Sequence, residues 1–338
     1  MPSDAETRIA AYYDDFGRHW AHGTSPLYED WSLGIARDER MLARITPLEP
    51  RLRQANLLFA AARWAGSPLS DYPEWSRWVA DHWDDVLEIA HARATQTNEP
   101  GRCAALLPVL ARIEGPVALL EVGAAAGLCL LPDRYSVVYD APSGRRRLDP
   151  AAGPTSFALR CRTDDDAAVP ARMPDVVWRR GIDLAPIDPA DDAAVDWLAT
   201  LVWPGPDHDD RVERLRGAAA IAASDPVSIV QGDLLERISE VAAESPEDAT
   251  LVVFHSAVLL YLDAARRERF ARIMAGLSEA VGRRVVWLAN ETAGVVPGAT
   301  EQVPADAATD HRFIQTVDGV AVALAGQHGA VYETVLFR

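Results

Sequence analysis

Lysine is missing from this chain: all 33 basic residues among its 338 are arginine. That absence removes several chemistries at once. There can be no Schiff base to pyridoxal phosphate, no lysine nucleophile or base, and no G-x-x-x-x-G-K-[ST] phosphate loop. Cysteine is scarce as well. Cys103, Cys129 and Cys161 are widely spaced, odd in number and form no C-x-x-C pair. Such a set suits a reducing cytoplasm better than a disulfide frame and offers no zinc site, so no metal is expected. No run approaches the ~18 consecutive apolar residues of a membrane span, and the start, MPSDAETRIA, lacks the apolar stretch of a secretory signal. Positive charge is in deficit too: the formal net charge is −17. The field therefore repels phosphate, and nucleic acid is not an expected partner.

What remains is an ordinary globular composition, with 49% hydrophobic and 25% charged residues, enough for a sizeable core. At about 150 residues per domain, the length suggests two domains. Residues 1–115 read as a helical N-terminal domain. Apolar positions recur at steps of three and four through Leu42, Ile45, Leu57, Leu58 and Ala61, and prolines at 26, 47, 50, 68 and 73 cut the region into short pieces. Tryptophan is crowded here, at 20, 31, 64, 75, 78 and 83. Such a stripe is more often packing than pocket, because each ring buries a large apolar area.

After Pro116 short apolar runs alternate with helical stretches, as a parallel sheet requires. Strands are expected at 117–122, 176–182, 227–231, 251–255 and 285–289, with helices between them. The last forty residues suggest strands in antiparallel pairing across Asp318-Gly319 and Gln327-His328-Gly329. Residues 136–162 look like an inserted hairpin whose turn is PSGRRR. The predicted class is α/β: residues 116–338 form a methyltransferase-type Rossmann sheet, mostly parallel with an antiparallel C-terminal hairpin.

The most informative segment is VALLEVGAAAGLCLLPDRY, residues 117–135. A buried strand ends in Glu121, and small residues follow at Gly123, Ala125 and Gly127 before an apolar, helix-capable run. Small residues at such a turn let a backbone approach a ligand, and a helix behind it would present free N–H groups. A dinucleotide fingerprint would need a small residue at 128, where Leu stands. The spacing is instead E-x-G-x-A-x-G, close to that of S-adenosylmethionine binders. A tight turn packing helix on strand fits Gly123 and Gly127 nearly as well.

Acids recur where nucleoside sheets place them, after successive strands. The usual offset of ~20 residues points to Asp140 as the ribose acid, but Asp140 reads as part of the hairpin, so Asp183 is preferred. Asp233, ending the third strand, could meet an adenine amino group or simply cap the following helix. His255 ends the fourth strand, at the expected mouth of the cleft, and could act as a general base or be a hydrogen-bonded strand-end histidine. Tyr28, Tyr261, Asn290 and Glu291 are the candidates for gripping a substrate. No G-x-S-x-G elbow suggests a hydrolase.

In that order, SPLYEDWSLGIARD, EVGAAAGLCLLPDRY, RRGIDLAPIDPAD, WLATLVWP, QGD, VVFHSAVLLYL and WLANE resemble the bacterial proteins grouped as domain of unknown function 2332. The resemblance runs from about Ser25 to Phe337. It implies a helical N-terminal part joined to a methyltransferase-like Rossmann domain, with Glu121, Gly123, Gly127, Asp183, Asp233 and His255 at the matching positions. Ala125 and Cys129 depart from the Ser and Asn usual in that family. The leading expectation is a small-molecule methyltransferase using S-adenosylmethionine, with acceptor recognition from the N-terminal helices. The alternative is a Rossmann-type binding or scaffold protein without turnover. A homodimer through the helical region is left open.

Overall fold

Prolines and capping residues cut the first part of the chain into short helices in the computed structural model, which describes residues 3–96, 98–306 and 312–335. These helices are α1 (Asp4–Asp15), α2 (Pro26–Ile35), α3 (Glu39–Ile45), α4 (Ala55–Trp64), α5 (Tyr72–Asp81) and α6 (Trp83–Ala92). Their starts follow from local chemistry. Ser3 and Glu6 form a reciprocal capping box, and Ser25, Asp38 and Asp71 each accept backbone N–H groups at the starts of α2, α3 and α5.

The chain divides into two compact units, 1–97 with 192–213 and 98–191 with 214–338. A later helix, α8 (Asp192–Leu201), therefore groups with the first six. The physical reason is Trp197, which enters the apolar core built on Tyr13, Tyr28, Trp31, Phe59 and Trp75. Trp31 and Trp75 stack with ring centroids 4.5 Å apart, so the tryptophan stripe is largely core.

The second unit carries α7 (Cys103–Leu110), α10 (Leu234–Ala243), α11 (Ala264–Val281) and most of α9 (His208–Ser224). Its strands are β1 (Val117–Val122), β2 (Ser136–Ala141), β3 (Gly144–Leu148), β4 (Ala158–Thr163), β5 (Val176–Asp183), β6 (Ser228–Gln231), β7 (Thr250–Ser256), β8 (Val285–Glu291), β9 (Phe313–Val317), β10 (Val320–Ala325) and β11 (Val331–Thr334). They form one 11-stranded sheet in the order β3-β2-β4-β11-β10-β9-β8-β7-β1-β5-β6. The run β6-β5-β1-β7-β8 is parallel throughout, and β9, β10 and β11 follow as an antiparallel meander. Strand order reverses at β1/β7, because the chain steps outward to β5 and β6 and then returns to the other side of β1. In open α/β sheets the crevice outside the carboxyl ends at such a reversal is where ligands bind.

Two local expectations are corrected. Arg145–Arg147 lie in β3 rather than in a turn, and β4 pairs parallel with both β2 and β11, which joins the hairpin to the far side of the sheet. No α-helix follows the glycine turn: residues 128–130 and 132–134 make single 3-10 turns. Pro132 has no N–H and pushes Leu131 out of the helical region, and Leu128–Leu131 are buried on every side rather than along one stripe.

Candidate functional site

Side chains alternate faces along a strand, and that rule sorts the carboxyl ends of the sheet. Ala118, Leu120, Val122, Ile182, Leu251 and Val253 share one core with α10 and α11. Glu121, Asp183 and Ser256 have the opposite parity, and the register pairs Glu121 with Gly181 on one side and Phe254 on the other. These three residues therefore share the second face, while His255 belongs to the α10/α11 side. Glu121, Asp183 and Asp233 end or follow three adjacent strands, β1, β5 and β6. Asp140 does not join them. It sits on β2, at the far half of the sheet, and pairs with Arg145 at 2.7 Å.

The glycine turn is held rigidly. Gly123, Ala125 and Gly127 all have left-handed backbones, with φ of 75°, 48° and 70°. Ala125 adopts this conformation without glycine's freedom, and the hydrogen bonds around it supply the reason. Its N–H donates to Asp183 Oδ2 at 2.8 Å, and its carbonyl accepts from Ile187 N–H at 3.0 Å. Ala126 N–H donates to Asn98 Oδ1 at 2.8 Å. The glycines serve packing by the protein itself. A Cβ on Gly123 would lie 2.5 Å from Val258 Cγ2, and one on Gly127 2.7 Å from Val227 Cγ2.

Asp183 thus anchors the turn, and its other oxygen accepts from Ala185 N–H at 2.8 Å. Asp233 is more fully committed. One oxygen caps α10 through Leu235 N–H, and the other forms an ion pair with Arg266. Partial burial opposes its ionisation, but Arg266 and the cap outweigh burial and hold the carboxyl below its ordinary range.

Glu121 is different. It is buried, and its Oε2 has no hydrogen-bond partner among the described residues. Burial pushes its carboxyl well above the usual carboxylate range; Cys129 and Asp183 add to that rise and Arg102 opposes it. Ser256 Oγ and Asn98 Nδ2 are also buried and unpartnered. Buried polar groups are nearly always satisfied, and Glu291 Oε2, at the end of β8, is a further such atom among the described residues. Arg102 adds a buried positive charge: Nη1 donates to Ser256 O and Nε to Gln327 O, both at 2.9 Å. Arg102, Ser256 and Asn98 escape sequence reasoning. Arg102 and Asn98 sit in no recognisable motif, Ser256 lies in VVFHSAVLLYL without a role of its own there, and the one available signal was an arginine directly before the apolar run of α7.

The structure does not bring His255 to the mouth of a cleft. Its ring is fully buried, Nδ1 lies 2.7 Å from Glu291 Oε1, and Nε2 lies 2.9 Å from Trp287 Nε1. An indole N–H can only donate, so Nε2 must accept and the proton resides on Nδ1. A ring with both nitrogens used this way cannot take a proton from a substrate without first losing Trp287. Glu291 is likewise internal: the same Oε1 accepts from Val258 and Leu259 N–H at 2.8 and 2.9 Å, anchoring the segment after β7. Asn290 Oδ1 accepts from buried Gln315, which also binds Ala105 O. Tyr28 lies in the core of the first unit, where its hydroxyl accepts from Arg63. Of the four substrate candidates only Tyr261 is exposed, at 76%.

Residues 10–333 match the family described as "Uncharacterized protein conserved in bacteria (DUF2332)". The chain belongs to that family. A search of curated proteins and a search of solved structures gave no match. The motifs carrying the earlier resemblance thus lie within a family match that spans nearly the whole chain. Family membership assigns no reaction, and the reading of the site rests on its own geometry.

Proposed function

We propose that this protein is an S-adenosylmethionine-dependent methyltransferase acting on a small molecule, with the cofactor held at the carboxyl end of β1. The observation that carries this reading is the buried, unpartnered Oε2 of Glu121 at the strand-order reversal, on the same face as Asp183. The residues fit a cationic nucleoside better than a dinucleotide. An acidic pair can accept hydrogen bonds from ribose hydroxyls or from an ammonium group. A pyrophosphate would instead need a helix N-terminus behind the glycine turn, and two single 3-10 turns stand there. Asp233 is spent on an ion pair with Arg266 besides capping α10, whereas Asp183 accepts only backbone N–H groups, so Glu121 and Asp183 are the acids assigned to the ligand.

S-Adenosylmethionine supplies a methyl group already activated by the sulfonium. The chain's contribution is then positional. Asp183 fixes the turn while each of its oxygens keeps a second lone pair for a ligand hydroxyl. Glu291 and His255 hold the post-β7 segment from behind, and Val258 packs onto Gly123 to keep that corner dry. Orientation and exclusion of water can account for a large part of such a rate acceleration. A second reading, a binding protein without turnover, is favoured by the occupied nitrogens of His255, which leave no base at that position. Calorimetry with S-adenosylmethionine and S-adenosylhomocysteine tests the proposal. Micromolar binding, about 8 kcal/mol, that weakens in Asp183→Ala is expected. Silence from both ligands would overturn the cofactor assignment, and unchanged binding in Asp183→Ala would overturn the site assignment.

A further inference from the structure

Trp64, Arg93 and Trp197 come together inside the first unit, outside the site described above. Trp64 ends α4, Arg93 directly follows α6, and Trp197 lies in α8. The two indoles meet edge to face, with centroids 5.8 Å apart and planes at 76°, and so make two walls of a corner. The Arg93 guanidinium carbon stands over both rings, 5.0 Å from the Trp64 centroid and 5.5 Å from that of Trp197. A cation at such distances is attracted by the negative ring faces. Trp197 is the inner wall: it is 3% exposed, and its Nε1 donates to Ala94 O at 2.9 Å. Trp64 is the outer wall, 36% exposed.

Little else holds the Arg93 side chain. Among the described residues its guanidinium has no hydrogen-bond or carboxylate partner, only the two rings. Arginines that act as clamps in this unit spend their donors on the protein: Arg51 on the carbonyls of Ala90, His91 and Arg93, and Arg63 on Tyr28 and the carbonyls of Thr200 and Val202. The backbone at 93 is anchored separately, its N–H donating to Ile89 O and its carbonyl accepting from Arg51 Nη1 at 2.7 Å. The side chain can therefore swing out while the main chain stays in place. We propose that Trp64 and Trp197 form a binding site for a quaternary ammonium group, which Arg93 fills when that ligand is absent. The ligand class follows from what the corner offers. An indole N–H only donates, so neither ring can accept from an ammonium N–H. A quaternary ammonium needs no acceptor, and its methyl groups lay apolar surface on the ring faces. The net charge of −17 also draws cations toward the chain.

Failure of the adenosyl reading would leave this site untouched, because its three residues lie in the first unit and the glycine turn in the second. Isothermal calorimetry of the full chain tests it with choline and its neutral carbon isostere, 3,3-dimethylbutan-1-ol. Arg93→Ala empties the corner and should bind choline about tenfold tighter than wild type does, with the isostere about tenfold weaker than choline. Adding Trp64→Leu to Arg93→Ala should remove the binding. Choline bound no tighter by Arg93→Ala than by wild type, or no better than the isostere, would overturn the site and leave Arg93 as a structural contact. Should Arg93→Ala fail to fold, the 15N spectrum of the wild-type chain decides. Choline should shift the indole signals of Trp64 and Trp197, and the isostere should not. Signals that stay in place, or move equally with both compounds, overturn the site.

Discussion

Gly123→Ala tests whether the turn after β1 is shaped by the protein's own packing. Two costs are separable. The backbone at 123 has φ of 75°, a region that an L-residue enters at roughly 1–2 kcal/mol. The new methyl would also stand 2.5 Å from Val258 Cγ2 and 3.0 Å from Cγ1. Overpacking of that kind costs about 1–3 kcal/mol. The sum, roughly 2–5 kcal/mol, is large against ordinary domain stability. For a unit of this size each kcal/mol lowers the melting temperature by about 2–4 °C, so Gly123→Ala should melt several degrees to well over ten degrees lower. Val258→Ala removes the obstructing isopropyl group. In that background Gly123→Ala should retain only the backbone cost, giving a favourable coupling of about 1–3 kcal/mol in the double-mutant cycle. The assay is thermal or urea unfolding of the four proteins. A single Gly123→Ala change within 0.5 kcal/mol of wild type, taken as about the noise of such cycles, would refute the packing account. So would strict additivity, which would place the whole cost in the backbone.

Other expectations follow from the same atoms. Because burial raises the folded-state carboxyl of Glu121, folding binds a proton there; the stability this gives is full below pH 4.5, its ordinary value, and lost as pH climbs toward the folded value. Glu121→Gln should therefore gain stability relative to wild type as pH rises from 4.5, and a pH-independent difference in melting temperature would sink this. Asp183→Ala removes the acceptor of the Ala125 N–H and should cost about 1–3 kcal/mol; faster hydrogen exchange at Ala125 is the specific sign, and unchanged protection there contradicts the anchoring role. The 15N spectrum of His255 should show a protonated Nδ1 and a bare Nε2, with the pattern disturbed in Trp287→Phe. A doubly protonated ring in the wild-type chain would count against the tautomer deduced from its partners.

Much of the sheet was legible because a buried parallel strand announces itself as an uninterrupted apolar run. VALLEV is buried along its length, and the runs near 251 and 285 occupy neighbouring positions as β7 and β8. Local rules failed where burial was uniform. Leu128–Leu131 look helix-capable, yet Pro132 and the absence of a polar face stop a helix from forming. GRRRL reads as a turn by composition, but Val137–Ala141 lie alongside it and supply the ladder that makes it a strand. At the site, Glu121 and Asp183 were found because acids after strands are a spacing pattern. Arg102 was not, since its importance comes from a carbonyl more than 150 residues away, with |i−j| of 154.

Sequence alone settled the missing lysine chemistry, the excess of acid and the order of apolar runs, since these depend only on which side chains exist and how they are spaced. Tertiary structure decided which acid stands beside β1, because strand order sends Asp140 to the far half of the sheet and Asp183 next to Glu121. It also decided that His255 faces inward, because one step along a strand reverses the side, and the core around α11 lay on the side it received.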